Sequence, residues 1–318
     1  MQIRLPLSPS SSSVRRYRAA VVTACAAVAA AYDAAAAAPL AWATSVPAGT
    51  YTTGTVYNFS GTTYADATRA LGAPAPTVGT APYVSVTNPF SGPYENTQLV
   101  QIGQGGSLTV QLGQPVRLGG PAKIGVFTGV TLNDASYPDG SAGSPVQTIA
   151  AAEYGAERSA VVEVAGALGD FRSLGRVLFV MPTNYYANVT SPSQYPAPSS
   201  PVPADFGTPI VNGLSQFANQ SFEEVIATLN GSGGGTWIDL PAALGLDAVN
   251  YVRFSDPRWV LPDGTLATHR VSIYDNPNNP TLKPADLLVD AVAAVPEPGS
   301  AALALGVAVM AARRHRRA

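Results

Sequence analysis

The stretch Gly105-Gly106-Ser107-Leu108-Thr109-Val110-Gln111-Leu112 joins a glycine turn to six residues that alternate between polar and apolar side chains. Successive side chains of a strand point to opposite faces, so this alternation predicts a half-buried strand with one apolar face. Residues 99–102 precede the same glycines and predict a second strand. Half-buried strands next to turns are typical of antiparallel sheets.

Short strands recur along the chain, and each is bounded by residues that favour turns. The 318 residues include 30 glycines and 28 prolines, which suits a turn-rich β protein. Strands this short and evenly spaced predict a mainly β fold, a jelly-roll-like antiparallel β-sandwich, rather than a parallel α/β sheet. Further strands are predicted within residues 44–59, 115–116, 123–129, 160–164, 179–181 and 251–254.

One short helix is predicted within this fold, because Ser221-Phe222-Glu223-Glu224 fits a capping box. Ser221 can accept a hydrogen bond from the amide of Glu224, whose side chain can return to the amide of Ser221. Gly231 provides a C-terminal stop, and we expect the helix on the edge of the sandwich. Its apolar face at helical spacing comprises Phe222, Val225, Ile226 and Leu229.

Residues 1–43 have the parts of a signal peptide. Three arginines within 15–18 form a basic region, an apolar stretch that predicts a signal helix covers 19–31, and alanines continue to residue 38. Ala41-Trp42-Ala43 offers small residues where signal peptidase reads the chain, so we predict cleavage after Ala43 and export through the translocon.

Two other leader types compete with this prediction. Val22-Thr23-Ala24-Cys25 resembles a lipobox, but the apolar run before its cysteine is short. Arg15-Arg16 resembles the start of a twin-arginine signal, from whose pattern Val14 and Arg18 depart. Signal peptidase remains the predicted partner.

Residues 295–318 also fall into three parts. Val295-Pro296-Glu297-Pro298 contains two prolines, which favour extended backbone and stop a helix from continuing. Residues 300–312 carry no charge and predict a membrane helix of roughly 20 Å, shorter than the ~30 Å hydrocarbon core. A basic stop follows, which should stay cytoplasmic, and it comprises Arg313, Arg314, Arg316 and Arg317.

In these residues the chain resembles the PEP-CTERM proteins, surface proteins of Gram-negative bacteria. Pro296, Glu297 and Pro298 match the family's motif in order, and the apolar helix and the arginines match its other two parts. The resemblance implies that an exosortase, a membrane-embedded cysteine transpeptidase-like enzyme, recognises the sorting motif that begins at Val295 and cuts near it. It also implies a transient C-terminal transmembrane anchor, followed by release to, or attachment at, the cell surface. The alternative is a short permanent anchor with a proline-rich hinge.

A second resemblance concerns the exported domain, which we place at 44–276, with a linker over 277–294 before the sorting signal. Several segments look like strands of a galactose-binding-like jelly roll, a domain that is frequent in exported PEP-CTERM proteins. Relatives often carry an acidic residue after the Val-Phe of a central strand, where this chain has Thr128, so no calcium or ligand site is inherited there. The similar segments are Leu71-Gly72-Ala73-Pro74 and residues 105–110, 159–164, 233–240 and 251–256.

Charge and cysteine content argue against several classes of function. Residues 44–294 carry 10 Lys and Arg against 18 Asp and Glu, a net charge of −8 that would repel the phosphates of nucleic acid. The single cysteine, Cys25, lies in the leader, so the exported domain has no disulfide, no thiol nucleophile and no cysteine-bound metal.

No pattern in the exported domain points to catalysis or to a cofactor. His269 is its one histidine, and no Gly-x-Ser-x-Gly motif accompanies it. The carboxylate pairs 153/157 and 223/224 are expected on solvated faces. Three aspartates near predicted strand ends are expected in turns and caps, with calcium binding as the alternative: Asp239, Asp256 and Asp263.

We therefore expect an exported, non-enzymatic surface or matrix protein without catalytic, cofactor or metal site, and with exopolysaccharide as a candidate partner. One alternative is a calcium-dependent carbohydrate-binding module. The other is a glycan hydrolase that uses two carboxylates.

Overall fold

The computed structural model describes residues 40–56, 63–82, 84–118, 122–136, 139–142, 157–210, 213–271 and 282–295. Within them lie one α-helix, α1 (Phe222–Leu229), and short 3-10 helices at Ala67–Ala70, Leu214–Phe217 and Ala242–Leu244. The strands are β1 (Ala41–Ser45), β2 (Tyr51–Thr52), β3 (Thr77–Val78), β4 (Ser85–Val86), β5 (Val100–Gly103), β6 (Ser107–Arg117), β7 (Lys123–Thr128), β8 (Glu157–Ala165), β9 (Phe171–Phe179), β10 (Thr236–Asp239), β11 (Ala248–Val260), β12 (Leu266–Ala267), β13 (His269–Val271), β14 (Leu282–Pro284) and β15 (Asp286–Val295).

Eight strands follow one another in a single antiparallel sheet, in the order β10-β7-β15-β1-β6-β11-β8-β9. The sheet is rolled so far that it nearly closes. Three strands pair at the side of this path, β5 with β15, β2 with β6 and β12 with β11, and β3–β4 and β13–β14 form separate two-stranded ribbons. The prediction of a mainly β, antiparallel fold with one short helix is confirmed.

Strand β1 makes the corner of the rolled sheet. Its first two residues, Ala41 and Trp42, pair with β15, whereas Ala43 and Ser45 pair with β6, and the register shifts between these last two residues. Irregularities of this kind bend a strand and let it pass from one sheet to another. β1 therefore joins the half of the sheet that contains β15 and β7 to the half that contains β6, β11 and β8.

Strand β15 lies at the centre of the structure, because it is paired along both edges and buried on both faces. β7 pairs with one edge, while β5 and β1 lie end to end along the other. A linker was predicted over 277–294, but the structure has Asp286–Val295 in the sheet. A strand that is buried on both faces reads as a continuous apolar run without alternation, which explains the difference. One face of β15 packs on the main core through Leu287, Val289, Val292 and Ala294. The other face, through Ala291 and Ala293, packs on an aromatic cluster that comprises Trp42, Phe127, Phe206 and Trp237.

The main core fills the inside of the rolled sheet with aliphatic side chains and one pair of phenylalanines. Leu108, Val110 and Leu112 of β6 are buried in it, as the alternation over 107–112 predicts. The phenylalanines come from β9 and β11, and the centroids of their rings, Phe179 and Phe254, lie 6.2 Å apart.

Helix α1 packs on a second, smaller core that is built from residues outside the rolled sheet. The hydroxyl of Ser221 accepts a hydrogen bond from the amide of Glu224, and the carboxylate of Glu224 accepts one from the amide of Ser221, so the predicted capping box is present. The helix ends at Leu229, its C-cap Asn230 has left-handed backbone, and Gly231 follows with a φ of 80°. This core includes Phe90, Leu132, Met181, Phe217, Phe222, Val225 and Leu229.

In the part of the chain that the structure describes, no helix is both long enough and apolar enough to cross a membrane. The predicted signal helix and the predicted C-terminal helix lie outside that part.

A buried ion pair joins the two halves of the sheet where β15 begins. The Nε of Arg158 in β8 lies 2.9 Å from a carboxylate oxygen of Asp286, and the side-chain amide of Gln101 in β5 donates to the other oxygen. The side chains of Arg158 and Asp286 are only 13% and 11% exposed. The guanidinium carbon of Arg158 also lies 5.0 Å from the centre of the Trp259 ring. Since both charges are withdrawn from water, breaking this hydrogen-bonded pair should cost much more than breaking an exposed one.

We predict that Asp286→Ala lowers the free energy of unfolding by about 3–5 kcal/mol, because it breaks a buried ion pair whose carboxylate also accepts a hydrogen bond from Gln101. The double variant Asp286→Leu/Arg158→Met, which replaces both charges by apolar side chains, should recover most of this loss. Urea unfolding followed by tryptophan fluorescence measures the difference. Asp170→Ala is the control, because the ion pair of Asp170 with Arg172 is exposed and its loss should cost less than about 1 kcal/mol. Equal losses in the two single variants would contradict the prediction.

Candidate functional site

The predicted sorting motif begins at the last residue of the central strand. Val295 ends β15, where it pairs with Lys123 of β7 and is partly buried. The sheet therefore continues up to the motif, and no spacer lies between them. The other motif residues, Pro296, Glu297 and Pro298, and the predicted basic stop, Arg313, Arg314, Arg316 and Arg317, lie outside the described residues.

The two ends of the described domain lie side by side. β1 and β15 are antiparallel, and Ala41 is paired with Ala294. The chain therefore enters the sheet after Leu40 and leaves it after Val295 at the same end of two neighbouring strands, which are about 4.8 Å apart. The segments that were predicted as leader and sorting signal therefore join the domain at the same end of these two strands.

The predicted leader cleavage residue, Ala43, lies inside β1. Its side chain has no exposed surface, and the residue pairs with Leu112 of β6. The ring of the preceding Trp42 lies 5.7 Å from the ring of Phe127 and 5.8 Å from that of Phe206, measured between centroids. Residues 41–43 are therefore part of the sheet, with Ala41 and Ala43 in the main core and Trp42 in the aromatic cluster.

Trp237 of β10 belongs to the same aromatic cluster. Its ring is edge-on to Phe127 at 6.2 Å, and its indole N–H donates to the carbonyl oxygen of Gly234 at 3.0 Å. The indole fits over β7 because position 125 is glycine: a Cβ on Gly125 would come within 2.8 Å of the ring. The side chain is accordingly used for packing between β10 and β7.

Two of the three aspartates considered for calcium have simple structural partners. Asp239 forms an ion pair with Lys123 on the neighbouring strand. Asp263 accepts hydrogen bonds from the amide and the hydroxyl of Thr265, which lower the pKa of its carboxyl group. Within the described ranges, no group of three His, Cys, Asp or Glu side chains is arranged to hold a metal ion.

The third aspartate, Asp256, links two arginines on β9 and β11. Its backbone is left-handed, with a φ of 48°, at the point where the register of β11 against β8 shifts. One carboxylate oxygen lies 2.5 Å from a guanidinium nitrogen of Arg258, and the other contacts Arg176. This carboxylate bridges the two guanidinium groups, with one oxygen facing each.

The remaining polar candidates lie on separate elements. His269 is exposed on β13, and its Nδ1 lies 3.0 Å from the hydroxyl of Thr268. Glu223 and Glu224 are exposed at the start of α1, where Glu224 completes the capping box. Glu157 begins β8 and is partly buried, which raises the pKa of its carboxyl group.

Asp290 in the centre of β15 was not predicted as a special residue. It is 2% exposed, and its carboxylate accepts the amide hydrogen of Ala75, with nitrogen–oxygen distances of 3.0 and 3.2 Å. Burial raises the pKa of Asp290 to about 7, and the hydrogen bond from Ala75 offsets only part of this effect. The sequence signal that could have identified it is an acidic residue between apolar neighbours. A carboxyl group in such a run is expected to be buried, and it must then be paired or protonated.

No family model, curated protein or solved structure matches this chain.

We predict that Asp290 makes the domain less stable as the pH rises from about 4 to about 7. The folded state keeps a proton up to a pKa of about 7, whereas an unfolded aspartate releases it near 3.8. The contribution of Asp290 to stability is therefore complete below the unfolded pKa and is lost as the pH rises through the folded pKa, by an amount on the order of 4 kcal/mol. Asp290→Asn resembles the protonated side chain and should remove this dependence.

Urea unfolding of both proteins across this pH range measures the effect as the difference between wild type and variant. Asp263→Asn is the control, because the pKa of Asp263 is lowered and its contribution changes only below the unfolded value. Parallel pH profiles for wild type and Asp290→Asn would show that the raised pKa does not act on stability.

Proposed function

We propose that this chain is an exported cell-surface protein whose C-terminal tail is a sorting signal for an exosortase. The observation that carries the proposal is the order of the last three segments: the motif that starts at Val295, the apolar residues 300–312, and the cluster of arginines. The end of β15 at Val295 supports it, because Pro296 is then the first residue beyond the strand. Proline lacks the N–H that a sheet ladder needs, so the motif does not extend the sheet.

A cut beyond Val295 leaves the central strand intact, whereas a cut within Asp286–Val295 would remove part of it. The motif is thus positioned so that processing separates the tail from a complete domain. Because the first and last strands are neighbours, leader and tail join the domain at the same end of this strand pair.

For the exported domain we propose a structural or binding role without catalysis, on a galactose-binding-like jelly roll, with exopolysaccharide as its partner. The packing of Trp237 and the ion pairs of Asp239 and Asp256 support this role, since these side chains already have structural functions. The cationic partners of the two aspartates compete with calcium, so the calcium-dependent alternative is less favoured.

We expect protein from the surface of producing cells to lack the residues beyond about Pro298 and to keep all of β15, as intact mass will show. Replacing Pro296, Glu297 and Pro298 by alanine should leave the tail attached and the protein in the membrane fraction, because the motif lies beyond the last strand and the domain still folds. Pro262→Ala, in an exposed turn, is the control. A mature protein that still ends at Ala318 would contradict the proposal.

The binding role is tested by incubating the mature protein with polysaccharide from the same cells, with and without a calcium chelator. We expect retention that is insensitive to the chelator and no shortening of the glycans. Shortened glycans would establish catalysis instead, and loss of binding with chelator would favour a calcium-dependent module. A protein that is not retained would be restricted to a purely structural role in the cell coat.

A further inference from the structure

We infer that the leader is removed before Leu40, within the alanine tract 34–38, so that the mature chain keeps the whole of β1. This inference rests on the proposed export of the chain. The bond after Ala43 satisfies the need of signal peptidase for small residues, but it lies in the middle of the strand that makes the corner of the sheet.

A cut after Ala43 would remove the part of β1 that pairs with β15. Ala41 and Trp42 are the residues of β1 in that pairing, and their removal would leave the backbone of Ala293 and Ala294 without a partner on this edge. Both alanines have no exposed surface. Buried backbone groups that lose their hydrogen bonds destabilise a fold strongly, and an open edge in a central strand invites pairing with other chains.

The side chains before the cut also belong to the domain. Leu40 and Trp42 pack with Phe127 and Phe206 on the face of β15 formed by its small alanines. Removing them would uncover this face and the apolar rings around it. The structure thus gives Leu40 a place in the packing, and the mature chain begins at or before this residue.

The sequence provides suitable bonds just upstream. Residues 34–38 are all alanine, so small side chains stand at the two positions that the peptidase reads for cuts near the end of the tract. Pro39 follows and cannot donate to a ladder, which makes it a natural boundary before β1. Cleavage is a hydrolysis: water adds across one peptide bond, which leaves a carboxylate on the leader and an amino group on the mature chain.

The test is the N-terminal sequence and intact mass of the exported protein, in wild type and in two variants of the tract. Changing the four alanines 35–38 to glutamine removes the small residues and should make the precursor accumulate with its leader. Changing the same four to serine keeps small residues and should leave processing intact. All these positions precede Leu40, so the amino acids of the described sheet are unchanged in each protein.

A wild-type protein that begins within 35–39, together with a blocked glutamine variant, supports the inference. A mature protein that begins at Thr44, or normal processing of the glutamine variant, would overturn it and leave export standing. If no leader-free protein forms in the wild type, the proposed export fails and the inference fails with it.

Discussion

The pairing of β15 along both edges is the constraint on which the rest of the structure depends. Its residues are almost all buried, so its amide and carbonyl groups need hydrogen-bond partners from β7, β5 and β1. These partners come from the first part of the chain, whereas β15 is the last strand of the domain. Contacts between segments so distant in sequence form late, and the sheet cannot be completed until β15 is available. The predicted sorting motif therefore comes directly after the segment that completes the fold.

Two acidic residues four positions apart in this strand illustrate the two ways in which a carboxyl group can be buried. Asp286 has Arg158 and Gln101 as partners, and this contact also ties β15 to β8 across the core. Asp290 has the amide of Ala75, and burial raises its pKa to about 7. The first arrangement depends on a counter-charge and the second on a proton, since an isolated carboxylate is too costly to remove from water.

The elements predicted from sequence are those whose signal is local. The alternation over 107–112 reappears in β6, residues 123–128 form β7, and the capping box at Ser221 begins α1. β15 was missed because its second face is covered by aromatic residues from distant segments, such as Trp42 and Phe206, so that its sequence lacks alternation. The ion pair between Arg158 and Asp286 joins positions that are 128 residues apart, and no periodic pattern reveals such a contact.

The predicted site of leader cleavage is a second case in which local sequence preferences are not sufficient. The alanines at 34–38 and the pair Ala41 and Ala43 satisfy the sequence preference of the peptidase equally well, and nothing in that preference separates them. The fold separates them, because Ala41 and Ala43 are buried in β1, while the tract precedes Leu40, the first residue that the structure describes. The same pairing applies to the C-terminal end of the domain. Ala41 and Ala294 are partners in the sheet, so removal of either residue leaves the other unpaired. A cut inside either strand would leave an unpaired edge on its neighbour, so one strand pairing places the same demand on both ends of the described domain.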